Sequence, residues 1–459
     1  MALIFNNLII NKSHPKYVPF LLNLLSGRRR ALSNTEFASV ISMLDKTPID
    51  FNDAEKELYR SLTAEKQFIS DTDRSLIEKK ITEQCFFENI IAPDLPELYF
   101  SIQLTQACNM SCGYCYEQLY QNPTLRITTA HIDSIADFLN HYCSLYGTEV
   151  SNPYIRITGG EPLVDASCVD MINYIVDTWP DCSIELQTNG INVLKYYNGL
   201  PIENIKKIHV SLDGLKDTHI ARRYSVPIEN GDAIYENILQ GIIKILADGK
   251  MEVILKTTVD MRNYKEIPAF KEYLRQRNIS TSPHFKHNIG YLLDFTNEYD
   301  LYSDRKITQT VYDLFTISEH LQEAIAPVSS MSVLAEIMTR SHNTPYSPRD
   351  RRCNTAPLKN YYFSPTGNVY LCDCPNIDTG IVGTYYPEAS LYEEVITELK
   401  NRNVFKVEKC KPCAYKFVCL GNCPLSSLTK RTEVSCGIFA NEEILDNLQF
   451  NYFGEKDSC

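Results

Sequence analysis

Between residues 97 and 325 the sequence alternates short apolar segments typical of β-strands with longer segments typical of helices. This alternation constrains the fold strongly, because strands separated by helices pair in parallel through right-handed crossovers. Five or six such units predict an α/β fold with a partial or full barrel, or an open doubly wound sheet. The expected strands span 98–106, 154–158, 183–188, 207–213, 252–259 and 283–290, and the expected helices span 128–146, 165–178, 232–248 and 264–277.

Polar motifs follow four of these strands directly. "CNMSCGYC" (108–115) follows the first strand, "TGGEP" (158–162) closes the second, "QTNG" (187–190) the third and "SLDG" (211–214) the fourth. The carboxyl ends of parallel strands lie at one edge of a sheet, and α/β folds bind their ligands there. The sequence therefore predicts one shared ligand site at that edge.

Charge and hydropathy exclude two classes of partner. The 459 residues carry a net charge of −12, whereas broad nucleic-acid binding requires a basic surface. No segment approaches the roughly 18 uninterrupted apolar residues of a membrane span. The N-terminus lacks the basic region, apolar run and cleavage site of a signal peptide. We expect a cytoplasmic protein that binds neither nucleic acid nor membrane.

The sixteen cysteines are distributed unevenly. Three lie at 108–115 and eight lie between Cys353 and Cys436. Clustered cysteines in a reducing compartment more often ligate metal or take part in catalysis than form disulfides. The remaining five are expected to be small buried hydrophobes or surface thiols: Cys85, Cys143, Cys168, Cys182 and Cys459.

Cys108, Cys112 and Cys115 have the spacing C-x3-C-x2-C. Four thiolates saturate a structural zinc ion or a 4Fe–4S cubane, whereas three leave one iron of a cubane open to a small molecule. With Tyr114 before the last cysteine, the motif resembles the CxxxCxΦC signature of the radical S-adenosylmethionine (SAM) superfamily. The resemblance implies that SAM binds the open iron and is cleaved to a 5′-deoxyadenosyl radical, which takes a hydrogen atom from the substrate. It also implies a partial (β/α)6 TIM-like barrel over residues 96–345.

The other loop motifs resemble SAM-binding segments of the same superfamily. Glycines let the backbone approach a ligand closely, and a carboxylate suits an ammonium group. The resemblance implies that Gly159, Gly160 and Glu161 contact the SAM amino group. It further implies that Asn189, Ser211 and Asp213 lie near the SAM ribose and carboxylate, and that Arg223 or Arg222 pairs with the carboxylate.

The spacing of the later cysteines resembles the seven-cysteine SPASM extension, which would occupy residues 346–459. The resemblance implies two auxiliary 4Fe–4S clusters and hence three clusters in all. One auxiliary cluster would be held by Cys410, Cys413, Cys419 and Cys436, and the other by Cys353, Cys372 and Cys423. Cys374 is a candidate for the missing ligand, and otherwise an iron stays open for substrate. A zinc ribbon at Cys410–Cys423 is the alternative.

Two further features have competing interpretations. Asp373 resembles an aspartate that acts as catalytic base in sulfatase-maturing relatives, although it could instead cap a turn. His284 and His287 could suggest a metal site, but positions i and i+3 of a strand point to opposite faces. Substrate contact or packing is therefore favoured for the two histidines.

Residues 1–95 suggest the substrate. Two strands and two helices are expected there, with Ser33 or Asn34 capping the first helix. This order is similar to the winged-helix, PqqD-like element of ribosomal-peptide maturases, which binds a leader peptide as an added strand. A simple N-terminal extension is the alternative. The leading hypothesis is a radical SAM maturase that installs a thioether or carbon–carbon crosslink in a ribosomally made precursor, with flavodoxin or ferredoxin as electron donor. An anaerobic sulfatase-maturase-like oxidase forming formylglycine, less closely resembled, and a non-catalytic iron–sulfur protein are the alternatives.

Overall fold

The computed structural model describes residues 8–10, 20–23, 29–44, 46–65, 68, 75–76, 79–80, 98–115, 117, 122–145, 150, 152–224, 231–292, 313, 316–317, 320–322, 360–370, 380–401, 407–411 and 413.

A ten-stranded sheet forms the main body of the chain. Six of its strands pair in parallel in sequence order, as the alternating pattern predicts. They are β4 (Tyr99–Gln103), β5 (Tyr154–Thr158), β6 (Ser183–Thr188), β7 (Ile205–Ser211), β8 (Glu252–Val259) and β9 (Phe285–Tyr291). The first strand ends earlier than expected, because Leu104 and Gln106 donate their N–H groups to the carbonyls of Thr158 and Leu125. The predicted α/β fold with a partial TIM-like barrel is confirmed.

Helices follow most of the parallel strands, and the four expected helices are present. They are α3 (Thr129–Leu145), α4 (Ala166–Thr178), α7 (Gly231–Asp248) and α8 (Ile267–Gln276). Shorter helices not expected from the sequence are α5 (Val193–Tyr196) and α6 (Lys216–Arg223). Short 3-10 segments lie at Pro48–Asp50, Tyr197–Gly199 and Tyr264–Glu266. In the part of the chain that the structure describes, no helix is both long and apolar enough to span a bilayer.

The two faces of the parallel sheet differ in polarity. On the face that packs against the helices, the strands contribute buried apolar side chains such as Phe100, Ile157 and Leu186. Because side chains alternate along a strand, the intervening residues lie on the inner face of the partial barrel. That face carries polar side chains, among them Arg156 and Glu185, which are cross-strand partners in the register. The fold thus places an apolar core under the helices and polar groups inside the barrel.

Four further strands extend the sheet beyond β4. They are β10 (Asn360–Phe363), β11 (Asn368–Tyr370), β12 (Ile381–Thr384) and β13 (Ser390–Leu391), followed by α9 (Glu393–Asn401). β10 pairs in parallel with β4, and the others continue antiparallel. The alternating pattern did not predict this extension. The sheet therefore crosses the expected domain boundary at residue 345, and the division into domains stays a prediction.

The N-terminal residues form a separate small sheet with two helices. Its order is β1 (Leu8–Ile10), β2 (Phe20–Asn23) and β3 (Arg29–Ala31), followed by α1 (Asn34–Leu44) and α2 (Asp53–Ala64). The two expected strands and two helices are present, and β1 adds a third strand. Ser33 caps α1: its hydroxyl accepts from the Glu36 N–H, and the Glu36 carboxylate accepts from the Ser33 N–H.

Candidate active site

The first cysteine motif lies in the loop that follows β4. Cys108, Cys112 and Cys115 are each partly buried, and Cys115 donates its N–H to the Cys112 carbonyl over 3.0 Å. Burial raises the pKa of the Cys108 thiol to about 12, and the charges of Glu161, Cys112 and Cys115 act in the same direction. The three thiols therefore lie close enough to affect one another electrostatically. A cation held among them would favour their thiolate forms.

The three thiols and their surroundings fit an iron–sulfur cluster. Zn–S bonds of about 2.3 Å would bring the sulfurs of a tetrahedral zinc site within about 4 Å of each other. Among the described residues, no three His, Cys, Asp or Glu side chains come together as ligands of one metal ion. Next to these cysteines, the buried hydroxyl of Tyr224 has no hydrogen-bond partner among the described residues. Three spaced thiols beside an unsatisfied donor fit an iron–sulfur cluster.

The "GGEP" loop after β5 is bonded to the backbone just before Cys108. Gly160 donates its N–H to the Thr105 carbonyl over 2.8 Å, and Glu161 donates to the Ala107 carbonyl over 2.9 Å. A Cβ on Gly160 would lie 2.4 Å from the Ala107 oxygen, and one on Gly159 (φ +151°) would lie 2.5 Å from the Thr105 oxygen. The glycines are therefore required for this close backbone contact. Their contact with SAM stays a prediction.

The Glu161 side chain is 1% exposed and joins the loop after β5 to the end of β6. Its carboxylate accepts from the Thr188 hydroxyl (2.6 Å), the Asn189 N–H (2.6 Å) and the Leu163 N–H (2.8 Å). Burial nevertheless raises the pKa of Glu161 to about 7, against these hydrogen bonds and the Arg223 charge. A cation beside Glu161 would favour the ionised carboxylate. A SAM ammonium would supply that charge, as the sequence predicts.

The "TNG" loop after β6 contacts the cysteine loop through a pair of amides. Asn189 donates from Nδ2 to Asn109 Oδ1 over 2.7 Å, and its own Oδ1 accepts from the Ile191 N–H over 3.0 Å. Asn109 lies directly after Cys108 in the sequence. Asn189 is thus placed beside the cluster motif, where the sequence expected a SAM-contacting residue.

Asp213, directly after β7, is completely buried and accepts hydrogen bonds from three other segments. Its carboxylate accepts from Arg223 Nε and Nη2 (both 3.2 Å), from the Thr258 N–H (3.1 Å) and from the Tyr114 hydroxyl. Burial alone would raise the pKa of Asp213, but the Arg223 guanidinium and the Tyr114 hydroxyl hold it below its usual range. Asp213 therefore stays ionised and joins the CxΦC loop to β8 and α6.

Both candidate arginines lie close to the Tyr114 ring. Their guanidinium carbons are 5.3 Å (Arg222) and 5.7 Å (Arg223) from the ring centroid. Arg222 donates to Asp260 over 3.0 Å, and its Nε lies 3.6 Å from Asp213 Oδ2. Arg223 donates to Asp213 over 3.2 Å and also approaches Cys112 Sγ, with Nη1 4.0 Å away. Of the two, Arg223 is the one with a hydrogen bond to a cysteine of the motif.

A polar cluster that the sequence analysis missed lies on the inner face of the barrel. Glu185 Oε1 lies 3.1 Å from Arg156 Nε and 3.0 Å from His209 Nε2. The His209 hydrogen bond and the charge of Arg156 lower the pKa of Glu185 to about 2, although burial opposes this. Ser211, the predicted SAM contact at the end of β7, follows His209 on the same face. Polar residues at alternate positions of otherwise apolar strands were the signal for this cluster.

The C-terminal cysteines are described only in part. Cys410 is buried and Cys413 half-buried, and Cys413 donates its N–H to the Cys410 carbonyl over 3.0 Å. The Cys112–Cys115 turn has the same hydrogen bond at the same spacing. The other predicted residues lie outside the described part of the chain: Cys353, Cys372, Asp373, Cys374, Cys419, Cys423 and Cys436.

The two histidines near β9 do not lie together at a site. His284 precedes the strand, and His287 bonds through Nε2 to the Thr257 hydroxyl over 2.8 Å. Burial lowers the pKa of His287 to about 4. His287 is therefore a neutral packed side chain under the helices.

Comparison with known protein families identifies the domain that contains the site. Residues 102–273 match the model of the radical SAM superfamily. The GTP 3′,8-cyclase of Alkaliphilus metalliredigens is 30% identical over 167 residues, which cover 35% of this chain and 47% of that protein. The GTP 3′,8-cyclase of Helicobacter pylori is 29% identical over 182 residues, which cover 39% and 53%. The chain thus spans about half the length of the curated relatives it matches.

Solved structures with a similar fold cover more of the chain. One is anSMEcpe with bound AdoMet, with a TM-score of 0.53 and 16% identity over 78% of this chain and 97% of that one. Another is Streptococcus suis SuiB bound to the precursor peptide SuiA, with a TM-score of 0.50 and 13% identity over 95% of this chain and 98% of that one. At these identities the likeness concerns the fold.

Proposed function

Since the chain carries a radical SAM domain, we propose that it is a radical SAM maturase that installs a thioether or carbon–carbon crosslink in a ribosomally made precursor peptide. In this proposal Cys108, Cys112 and Cys115 hold a 4Fe–4S cluster, and SAM binds between that cluster and the loops of Glu161, Asn189 and Ser211. Cluster and SAM together supply the 5′-deoxyadenosyl radical when bound. Asp213 and Arg223 hold the CxΦC loop against the end of β7.

The observation that carries the peptide assignment is the small sheet at the N-terminus. Its described strands have the order β1-β2-β3, so that β1 and β3 are edge strands. An edge strand can accept an extended peptide as a further strand. The fold that includes this sheet is similar to SuiB over 95% of the chain, and SuiB binds a precursor peptide. We infer that the leader of the precursor pairs with this sheet.

The inner face of the barrel would receive the residue to be modified. Arg156, Glu185 and His209 lie there, two or three residues before the carboxyl ends where SAM would bind. These groups can orient a polar peptide segment without contacting the cluster cysteines. The later cysteines would hold two auxiliary 4Fe–4S clusters, giving about twelve irons per chain.

Two other reactions have specific support. The sequence relatives over the radical SAM domain are GTP 3′,8-cyclases, which favours a nucleotide substrate. The fold of anSMEcpe, together with Asp373, favours oxidation of a sulfatase residue to formylglycine. Either reaction would use the same cluster site as the proposed peptide crosslink.

One assay tests whether the chain cleaves SAM by radical chemistry. The full chain, reconstituted anaerobically and reduced, is incubated with SAM, and 5′-deoxyadenosine is measured. We expect cleavage that is lost when Cys108, Cys112 and Cys115 are replaced by alanine, while auxiliary iron remains. The matched control replaces the buried Cys168 and Cys182, which lie outside the motif, and should keep cleavage. No 5′-deoxyadenosine from the unaltered chain would refute the proposal.

A second assay identifies the substrate class. The chain is incubated in turn with the short peptide encoded beside its gene, with GTP and with a sulfatase-derived peptide. A mass loss of two hydrogens in the first peptide supports crosslinking. Deleting residues 1–95 should then weaken binding of that peptide but leave uncoupled SAM cleavage intact. Conversion of GTP or formation of formylglycine would replace the peptide-crosslinking assignment.

A further inference from the structure

The end of helix α6 lies directly against the first cysteine motif. Ser111 and Tyr224 form a parallel β-bridge, and Gly113 donates its N–H to the Arg222 carbonyl over 3.4 Å. Arg223, the last residue of α6, and Tyr224 therefore run alongside the loop that carries Cys112. These two consecutive residues present one cationic and one neutral donor to the motif.

The orientation of Arg223 is fixed by Asp213. Two of its N–H groups, on Nε and Nη2, donate to the two Asp213 oxygens at 3.2 Å each. The remaining terminal nitrogen, Nη1, lies 4.0 Å from Cys112 Sγ. Because Asp213 is itself held by Tyr114 and by the Thr258 N–H, the guanidinium cannot turn away from the sulfur without breaking several hydrogen bonds.

Tyr224 supplies an independent observation at the same place. The residue is 7% exposed, and its hydroxyl has no hydrogen-bond partner among the described residues. A buried hydroxyl without a partner is destabilising, so an acceptor is expected beside it. The parallel β-bridge between Tyr224 and Ser111 places this residue beside the loop that carries Cys112. A thiolate or sulfide of a bound cluster would be that acceptor.

Donors near cluster sulfurs have a defined electrostatic effect. A cluster becomes more negative by one charge when a low-potential donor reduces it. Hydrogen bonds and positive charge near its sulfurs favour the reduced form and raise its reduction potential. We propose that Arg223 and Tyr224 are positioning residues that donate to the sulfurs of the cluster at Cys108, Cys112 and Cys115 and raise its reduction potential. This inference rests on the cluster assignment in the proposed function.

The variants remove each donor with little change of shape. Tyr224→Phe removes only the hydroxyl. Asp213→Asn with Arg223→Gln removes a buried ion pair that includes the donor to Cys112. The matched control, Asp260→Asn with Arg222→Gln, removes the neighbouring ion pair, in which Arg222 donates to Asp260 and to the Thr258 carbonyl. Arg222 Nε also lies 3.6 Å from Asp213 Oδ2, so this control tests the loss of a cation beside Asp213 that leaves the Arg223 contact with Cys112 in place. Tyr235→Phe is the control for a buried hydroxyl, since Tyr235 donates to the Gly214 carbonyl over 3.0 Å.

The experiment is a redox titration of the reconstituted full chain without SAM, followed by electron paramagnetic resonance. Two properties identify the signal of this cluster. It changes when SAM is added, and it is absent from the variant in which Cys108, Cys112 and Cys115 are replaced by alanine. We expect the Asp213/Arg223 pair variant to lower the ratio of reduced to oxidised cluster about tenfold at fixed potential, equivalent to about 59 mV for one electron. Tyr224→Phe should also lower this ratio. Arg223→Lys keeps the positive charge, so it should lower the ratio less than the Asp213/Arg223 pair variant does.

The outcomes separate this inference from the function on which it rests. Unchanged potentials in Tyr224→Phe and in the pair variant would overturn the inference while leaving the cluster assignment intact. Equal shifts in the control variants would also overturn it, since they would indicate a general effect of the buried charges. If the unaltered chain gives no signal that depends on the three cysteines, the cluster assignment itself is wrong. If the pair variant binds no iron, Tyr224→Phe decides the question alone.

Discussion

The backbone N–H of Glu161 donates to the carbonyl of Ala107 over 2.9 Å, one residue before Cys108. This bond and its neighbour, from Gly160 to Thr105, join the loop after β5 to the loop after β4. The position of the first cysteine is therefore set by a second motif about fifty residues away in the sequence. The two motifs act as one structural unit, and a change in one should disturb the other.

Replacing Gly160 with alanine should disrupt that unit. The added Cβ would lie 2.4 Å from the Ala107 oxygen, so the cysteine loop would have to move. Such overpacking costs about 1–3 kcal/mol. We expect a lower melting temperature and a loss of the iron that depends on Cys108, measured by calorimetry and iron analysis.

Gly113→Ala is the matched control, since it lies within the cysteine motif and no atom of the other described residues is within 4 Å of its added Cβ. Iron content in this variant should equal that of the unaltered chain. Equal loss of iron in both variants would show that the Gly160 contact with Ala107 does not position the loop.

The sequence predicted the elements that local patterns determine. All six parallel strands and four helices follow from alternating apolar segments, and the polar loops fall at the carboxyl ends of β5, β6 and β7 as expected. These features depend on short-range periodicity and on the handedness of crossovers. The pairing of β10 with β4 joins residues about 260 positions apart in sequence, and no local pattern encodes such a contact.

The candidate site was predicted as a set of residues but not as a set of contacts. Gly160 and Glu161 were expected to face a ligand, whereas the structure shows that their backbone also holds the cysteine loop. The pairing of Arg223 or Arg222 with a SAM carboxylate stays a prediction, and within the chain Arg223 donates to Asp213 and lies near Cys112. Such choices among several oppositely charged partners depend on three-dimensional distance, which motif spacing does not contain.

The buried carboxyl of Glu161 should make stability depend on pH. Its pKa is raised from 4.5 to about 7, so the folded state favours the protonated form. This contribution is fully present below pH 4.5 and is lost as pH rises through 7. Relative to Glu161→Gln, the free energy of unfolding of the metal-free chain should fall by about 3 kcal/mol across that window. If the free energies of unfolding of the two proteins changed with pH in parallel, burial would not raise the pKa of Glu161.

Glu185 should make stability depend on pH in the opposite direction. Its pKa is lowered from 4.5 to about 2 because the ionised form binds His209 and Arg156. The stabilisation is present above pH 4.5 and is lost as pH falls through 2. Acid unfolding of the unaltered chain should include a loss of about 3 kcal/mol that Glu185→Gln lacks.

Glu272→Gln provides the control for Glu185. Glu272 also forms an ion pair with an arginine, Arg275 at 2.7 Å, but both side chains are exposed on α8. Solvent screens such pairs, so its acid-unfolding curve should match that of the unaltered chain. If both variants changed the curve equally, burial of Glu185 would not be the cause.

Tyr114→Phe tests the link between the CxΦC motif and β7. The change keeps the ring that lies near both Arg222 and Arg223 but removes the hydroxyl that donates to the buried Asp213 carboxylate. Hydrogen bonds to charged groups contribute about 1.5–3 kcal/mol. We expect a loss of that size in urea unfolding of the metal-free chain. Tyr114→Leu should cost about 1 kcal/mol more, because the cation–π contacts are lost as well.

The control for Tyr114 is Tyr174→Phe, because Tyr174 also donates to an aspartate, Asp133, over 2.8 Å, but at the surface. Water replaces that hydrogen bond when the hydroxyl is removed, so the free energy of unfolding should change by less than about 0.5 kcal/mol. A larger loss for Tyr114→Phe means that the buried Asp213 depends on the motif's aromatic residue. Equal small losses of unfolding free energy in the two variants would mean that Arg223 and the Thr258 N–H suffice to hold Asp213. Tyr114 would then contribute to the motif only through its ring.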